Sequence, residues 1–293
     1  MEFERDGPAM SGASTWRDVL ADTVEALANE RDARLLCEHA AGLDASSFAA
    51  AMHEPVTQRM ALHLQAMLRR RLAGEPLQYV MGRWAFRHLD LLVDPRVLIP
   101  RQETEEVAQV ALDAARAAGP GCVVVDLGTG SGAIGLSIAF ELPPDSATVW
   151  ITDVSSEALD VARANLAGIG RAGACVRVAQ GDWYSALPES LRGTLNVVVA
   201  NPPYIAHDDP EVDEVVARHE PHAALFSGND GLAALRCIVV GAPEWLHDGG
   251  TLVMEIGHRQ ADTVRDICTK AGLRDVEVRR DLAGRDRIVV ARA

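Results

Sequence analysis

The sequence predicts a doubly wound α/β fold whose last strand runs antiparallel, preceded by a small helical bundle and a β-hairpin. Three observations predict it. From Cys122 onward, short β-branched runs alternate with stretches of helical periodicity, the pattern of a parallel sheet with crossover helices. Before Gly74 the apolar residues recur at helical spacing throughout. Between the two, short apolar runs are broken by turn residues.

Taken in order, residues 1–14 are expected to form a flexible tail, with Met10 as an alternative start to Met1. Residues 15–78 are expected to form a helical domain, too small to be an enzyme by itself. Leu20, Val24 and Leu27 share one stripe, and Leu35, Leu36 and His39 another. Leu43-Asp44-Ala45 reads as a turn into a short helix. Thr57 to Leu72 is a longer amphipathic helix with Thr57 as its cap and Met60, Leu64, Met67, Leu68 and Leu72 inward. Gly74-Glu75-Pro76 stops it.

Residues 79–100 are read as a linker hairpin. Tyr79–Gly82, Trp84–Phe86, Leu89–Val93 and Val97–Ile99 are its expected strands, with a turn at Asp94-Pro95. Residues 101–293 are then the large α/β domain. Glu103–Glu106 open a helix with carboxylates in its first turn, where the helix dipole favours them. Strands follow at 122–127, 148–153, 175–180, 195–200 and 251–256, with helices at 132–140, 156–167, 230–246 and 259–271. The last two strands, 275–280 and 286–292, are joined by Asp281–Arg285 and can pair antiparallel.

Composition narrows the function. The chain is 48% hydrophobic and 24% charged, ordinary for a globular protein. No apolar run approaches the roughly 18–20 residues that span a bilayer. The N-terminus lacks a charged-then-apolar signal pattern, so a cytoplasmic protein with no membrane partner is expected. Five scattered cysteines without a Cys-x-x-Cys pair read as reduced thiols, not as a zinc site. A net charge of −14 argues against duplex DNA or bare RNA as the main substrate. Arg69-Arg70-Arg71 reads as a solvated helix face.

Two stretches carry the chemistry. Val123–Leu127 runs into Gly128-Thr129-Gly130-Ser131-Gly132, where alternate glycines let the backbone turn sharply and approach a ligand. About twenty residues on, Asp153 ends the next strand, placed to take both hydroxyls of a ribose. Asp182 and Trp183 end the third, placed to border an adenine ring. Two cofactors fit such a nucleoside site. Gly130-Ser131-Gly132-Ala133-Ile134-Gly135 spells a dinucleotide fingerprint, but it starts past the strand end and runs into the helix. The frame Asp126-x-Gly128-x-Gly130-x-Gly132 begins at the strand end and includes an acid for a cationic ligand, which suits S-adenosylmethionine.

The second stretch is Asn201-Pro202-Pro203-Tyr204, directly after the apolar run Leu195–Ala200. Prolines fix φ and carry no N–H, so the turn offers carbonyl acceptors without competing donors. Asn201 adds a side-chain acceptor and Tyr204 a flat aromatic face. Together they suit a planar –NH2 group. Alone, the stretch also reads as a plain turn after a strand. A methyl donor and an –NH2 holder on one sheet describe a nitrogen methyltransferase.

At these motifs the chain resembles the bacterial protein-(glutamine-N5) methyltransferases of the HemK type. The resemblance spans nearly everything after the tail. It includes Gly74–Tyr79, Val97–Arg101, Glu103-Thr104-Glu105, Asp126–Gly132, Asn201–Ile205, Glu220-Pro221, Glu255-Ile256-Gly257 and Gly284–Arg287. It implies a class I S-adenosylmethionine-dependent methyltransferase sheet, with class-1 peptide-chain release factors as partner and substrate. It implies that Gly128, Thr129, Gly130, Ser131, Gly132, Asp153, Asp182, Trp183 and Asn201 line the cofactor site. Asn201, Pro202, Pro203 and Tyr204 would hold the substrate amide, with Asn201, Pro202 and Tyr204 catalytic. The helical bundle would grip the partner, and the enzyme is expected to be a monomer.

Gln102 and Asn196 depart from the family pattern. They leave open a ribosomal-protein glutamine or a nucleic-acid exocyclic amine as substrate of the same fold. A non-catalytic S-adenosylmethionine-binding translation protein is the rival of another class, and it has no need of an amide clamp. His219-Glu220-x-His222 invites a metal, but Pro221 breaks any helix that would join the two histidines.

Overall fold

The computed structural model describes residues 14–293. The tail expected over 1–14 and the two possible starts therefore lie, apart from Ser14, outside the described residues. The chain divides into two compact units, the first ending at Gly82 and the second running from Arg83 to Ala293.

The first unit is helical: α1 (Trp16–Leu27), α2 (Glu30–Ala41), α3 (Ala45–Ala50), α4 (Gln58–Leu72) and α5 (Leu77–Met81). Thr15 and Asp18 form a reciprocal capping box at the start of α1, and Thr57 accepts from the Met60 N–H at the start of α4. Trp16, Leu36, Phe48 and Leu64 are fully buried, with the Trp16 and Phe48 rings edge-on at 5.4 Å. Leu72, expected inward, is exposed. The helix ends on it, and Leu77 and Val80 of α5 join the core instead.

Tyr79–Gly82 is not a strand but the last turn of α5, closed by Gly82 at φ 70°. Arg70 explains why a sequence rich in β-formers turns helical here. Its guanidinium donates to the carbonyls of Tyr79 (2.9 Å) and Val80 (3.1 Å), satisfying acceptors that a helix end leaves open. Arg70 also pairs with Glu75, and Arg71 with Asp32, so two of the three arginines are bound within this unit.

The second unit opens with a hairpin, β1 (Arg83–Phe86) against β2 (Leu89–Leu92). It continues with α6 (Gln102–Ala118), β3 (Cys122–Leu127), α7 (Ala133–Glu141), β4 (Ala147–Asp153), α8 (Ser156–Gly168), β5 (Val176–Gln180) and β6 (Leu195–Ala200). Next come α9 (Glu214–His219), α10 (His222–Leu225), α11 (Ala233–Trp245), β7 (Leu246–Glu255), α12 (Ala261–Lys270), β8 (Arg274–Arg280) and β9 (Asp286–Arg292). The seven-stranded sheet has the order β5-β4-β3-β6-β7-β9-β8. Strands β3 to β7 are parallel, and β9 runs antiparallel between β7 and β8.

Each sheet face carries its own core. One joins Phe86, Leu89 and Leu91 of the hairpin to α6 and α7; the other packs α11 and α12. β7 begins at Leu246, earlier than the expected 251, because a register shift absorbs Asp248-Gly249-Gly250 beside β6.

Val97–Ile99, also expected as a strand, lies outside the strands of the described residues. Val97 and Ile99 are buried, but the Ile99 N–H donates to the Glu220 carboxylate at 3.1 Å. A side chain thus supplies the acceptor a neighbouring strand would have offered.

The sheet order reverses between β3 and β6, and ligands of open α/β sheets bind outside the carboxyl ends of strands at such a point. Gly135 makes this end compact. Its N–H donates to Asp126 at 2.9 Å, and a Cβ there would fall 2.4 Å from Ile151 and 3.1 Å from the Asp126 side chain. Alanine is the better helix former by about 1 kcal/mol. Overpacking costs about 1–3 kcal/mol and should win. Gly135→Ala is therefore expected to lower the denaturation midpoint in urea; an unchanged or higher midpoint would contradict this packing.

Candidate active site

The carboxyl ends of β3, β4 and β6 open on a cavity of about 400 Å3, within the range of small-molecule sites. Gly128, Thr129, Gly130 and Ser131 line it after β3, and Asp153 lines it at the end of β4. Asp182 and Trp183, past the end of β5, and Asn201 and Pro203 after β6 complete the expected set around it. Gly132 sits differently: it precedes α7 at φ 88°, and a Cβ there would meet Leu136 at 2.6 Å. Pro202 is buried and Tyr204 half-buried, both behind the lining.

Two acids stand at the strand ends. Asp126 is 1% exposed; one carboxylate oxygen accepts from the Thr129 hydroxyl (2.6 Å) and the Gly135 N–H (2.9 Å). Its other oxygen, Oδ1, is buried with no partner among the described residues. Burial pushes its carboxyl up to about 6, against those two donors. Asp153 accepts from the N–H groups of Gly130 and Ser155, each at 2.9 Å, and burial raises it as well.

Around Asn201 the structure assembles a network that joins Tyr204, an expected catalytic residue, to Thr104, Glu255 and Gln260, which carry no role in the sequence reading. Asn201 Nδ2 meets Thr104 Oγ1 at 3.1 Å, and the Thr104 hydroxyl donates to Glu255 Oε2 at 2.6 Å. The Tyr204 hydroxyl donates to Glu255 Oε1 at 3.2 Å. Glu255 is 1% exposed; burial raises its carboxyl, while Thr104, Arg287 and Tyr204 pull it down. The signal for it was a glutamate ending the apolar run Leu252-Val253-Met254. Gln260 holds the turn from the other side, donating to the Tyr204 carbonyl at 2.9 Å.

Glu220, which is 4% exposed, pairs with Arg101 at 2.5 Å and accepts from the Ile99 N–H, joining two stretches that line the cavity, 95–100 and 221–224. His219 and His222 each donate from a ring nitrogen to a backbone carbonyl, of Val215 and Ala217. Asn196 accepts from the Val123 N–H at 2.8 Å and meets His247 Nε2 at 3.0 Å. It thus joins β3 to β6, as an acid there would, and adds a contact an ionised acid lacks.

Comparison with known proteins gives the family and the fold. A family model described as PrmC N-terminal domain matches residues 18–82, and one described as Methyltransferase small domain matches 107–224. The release factor glutamine methyltransferase of Burkholderia pseudomallei is 46% identical over 87% of this chain and 89% of its own length. That of Bordetella pertussis is 44% identical over 88% of this chain and 92% of its own. A solved methyltransferase from Pyrococcus furiosus shares the fold, with a TM-score of 0.52 at 18% identity, over 76% of this chain and 96% of its own. The chain is an enzyme with a class I methyltransferase sheet, and it belongs to the release factor glutamine methyltransferase family.

Proposed function

We propose that this enzyme transfers a methyl group from S-adenosylmethionine to the side-chain amide nitrogen, N5, of the glutamine in the Gly-Gly-Gln motif of class-1 peptide-chain release factors. The names of the relatives support a release-factor glutamine as substrate. The observation that carries the chemistry is Asn201, tethered to Thr104 at the edge of the cavity that Asp126, Asp153 and Trp183 also line. A release-factor substrate, as the relatives' names give it, supports a reaction in the cytoplasm. No helix among the described residues is long and apolar enough to cross a membrane.

The residues present fit the cofactor. The unpartnered Asp126 Oδ1 is an acceptor for an ammonium group. Asp153 uses two of its carboxylate's roughly four acceptor sites on backbone N–H groups, which leaves room for ribose hydroxyls. A Cβ on Gly128 would come within 3.3 Å of the Trp183 ring, so this glycine lets the turn after β3 pack close to that ring at the edge of the cavity. The chemistry that bound S-adenosylmethionine supplies is an electrophilic sulfonium methyl.

The chain's own task is to make a poor nucleophile attack. Amide resonance resembles that of the peptide bond, whose rotation barrier is about 18–20 kcal/mol. Asn201 Oδ1 and the prolyl carbonyls accept the amide N–H bonds and orient the nitrogen. Gln260 occupies the Tyr204 carbonyl, so the acceptors the turn can lend lie upstream of it.

Mass spectrometry of release factor incubated with the enzyme and S-adenosylmethionine should place one methyl on the Gly-Gly-Gln glutamine side chain. A methyl elsewhere, or none, would overturn the assignment. Asn201→Ala should lower kcat by about 10²–10³, the cost of losing one preorganised polar group at a developing charge. Asn201→Asp should fall between it and the parent. Parental kcat in Asn201→Ala would remove the amide clamp.

Asp126 adds a pH signature. Its charge is present above about 6 and is lost as the pH falls through that value. Calorimetry should show S-adenosylmethionine affinity weakening below pH ~6, by up to about tenfold per pH unit. Asp126→Asn should flatten that limb; an identical limb in the variant would assign it to another group.

A further inference from the structure

We propose that Thr104 and Glu255 are positioning residues that fix which end of the Asn201 amide faces the substrate. The inference rests on the methyltransferase reading of the site. It follows from counting protons along the network.

An ionised carboxylate only accepts hydrogen bonds, and a hydroxyl has one hydrogen to give. Glu255 Oε2 lies 2.6 Å from Thr104 Oγ1, the short spacing of a hydroxyl donating to a charged oxygen. The single Thr104 hydrogen is therefore committed to Glu255. Toward Asn201, 3.1 Å away, Thr104 Oγ1 has only lone pairs to offer. The amide must then present its –NH2 end to Thr104, which leaves Oδ1 as the end turned away from it. The two ends of an asparagine amide have almost the same shape, so packing alone does not choose between them. Here the choice is made by a charge one residue removed.

Charges around the network keep that order. Arg287, 8% exposed, lies within attractive range of Glu255 and donates to the Ile256 carbonyl and to Asp281. Glu103 acts in the opposite sense from α6. The Tyr204 hydrogen is committed to the other carboxylate oxygen, which pins the Asn-Pro-Pro-Tyr turn at its far end as well. One buried carboxylate thus holds both ends of the four-residue clamp, through a helix and a strand remote in sequence.

The test is steady-state methylation of a release factor by Thr104→Val, which keeps shape and loses the hydroxyl, and Thr104→Ser, which keeps the hydroxyl. Thr104→Val should lower kcat roughly 10- to 100-fold, the scale of a misplaced reacting group. Its S-adenosylmethionine Kd and its KM for the release factor should stay within about twofold of the parent. Thr104→Ser should restore most of the rate. Parental kcat in Thr104→Val, or an equal loss in Thr104→Ser, would overturn the proposal, the second because it would assign the effect to the lost methyl group. Should Thr104→Val fail to fold, Thr104→Ala removes the hydroxyl without added bulk and is read the same way. A parent enzyme that transfers no methyl to the glutamine would instead defeat the functional reading on which this rests.

Discussion

A carboxylate buried at the end of a strand has to be matched on every side, and the active end of this protein is built around one. Glu255 is 1% exposed and is met by Thr104, Tyr204 and the charge of Arg287. Losing a hydrogen bond to a charged group costs roughly 1.5–3 kcal/mol, so each partner helps to hold the carboxylate in place. The cost of burial is thereby converted into geometry. Helix α6, the turn after β6 and the end of β7 meet at one point, and Asn201 stands on it.

The same economy recurs across the strand ends. Asp126, Asp153 and Glu255 are all desolvated acids whose carboxyls are raised by burial, and each retains hydrogen bonds that oppose the shift. Asp126 differs in keeping one buried oxygen without a partner among the described residues. In a chain of net charge −14 this is a local preference for cations, held at the place where the sheet order reverses. Glu220 acts beside the cavity in a comparable way, pairing with Arg101 while its other oxygen accepts from the Ile99 N–H.

Much of this was legible in the sequence because it follows from periodicity and turn chemistry. The alternation after Cys122 gave the sheet and its crossovers, and the glycine turn, Asp153 and Asn201 each fell at a strand end where the fold gathers them. Two of the misreadings share one cause, a local pattern overridden by a side chain from outside the segment. Tyr79–Gly82 has strand composition, but Arg70 caps its carbonyls and makes it a helix end. Val97–Ile99 has strand alternation, but a glutamate supplies its acceptor. Thr104 and Glu255 stood in motifs that carried the family resemblance, yet nothing local shows that 151 residues of separation close to 2.6 Å.

The central claim is that Thr104 acts through Asn201 and not beside it, and a double-mutant cycle reads this directly. The measurement is kcat on a release factor at saturating S-adenosylmethionine for Thr104→Val, Asn201→Ala and the pair together. If the hydroxyl serves only to orient the amide, the double variant is no slower than Asn201→Ala alone. Multiplying losses, with the double variant slower than Asn201→Ala by the full Thr104→Val factor, would show that the two residues act independently and would contradict the account.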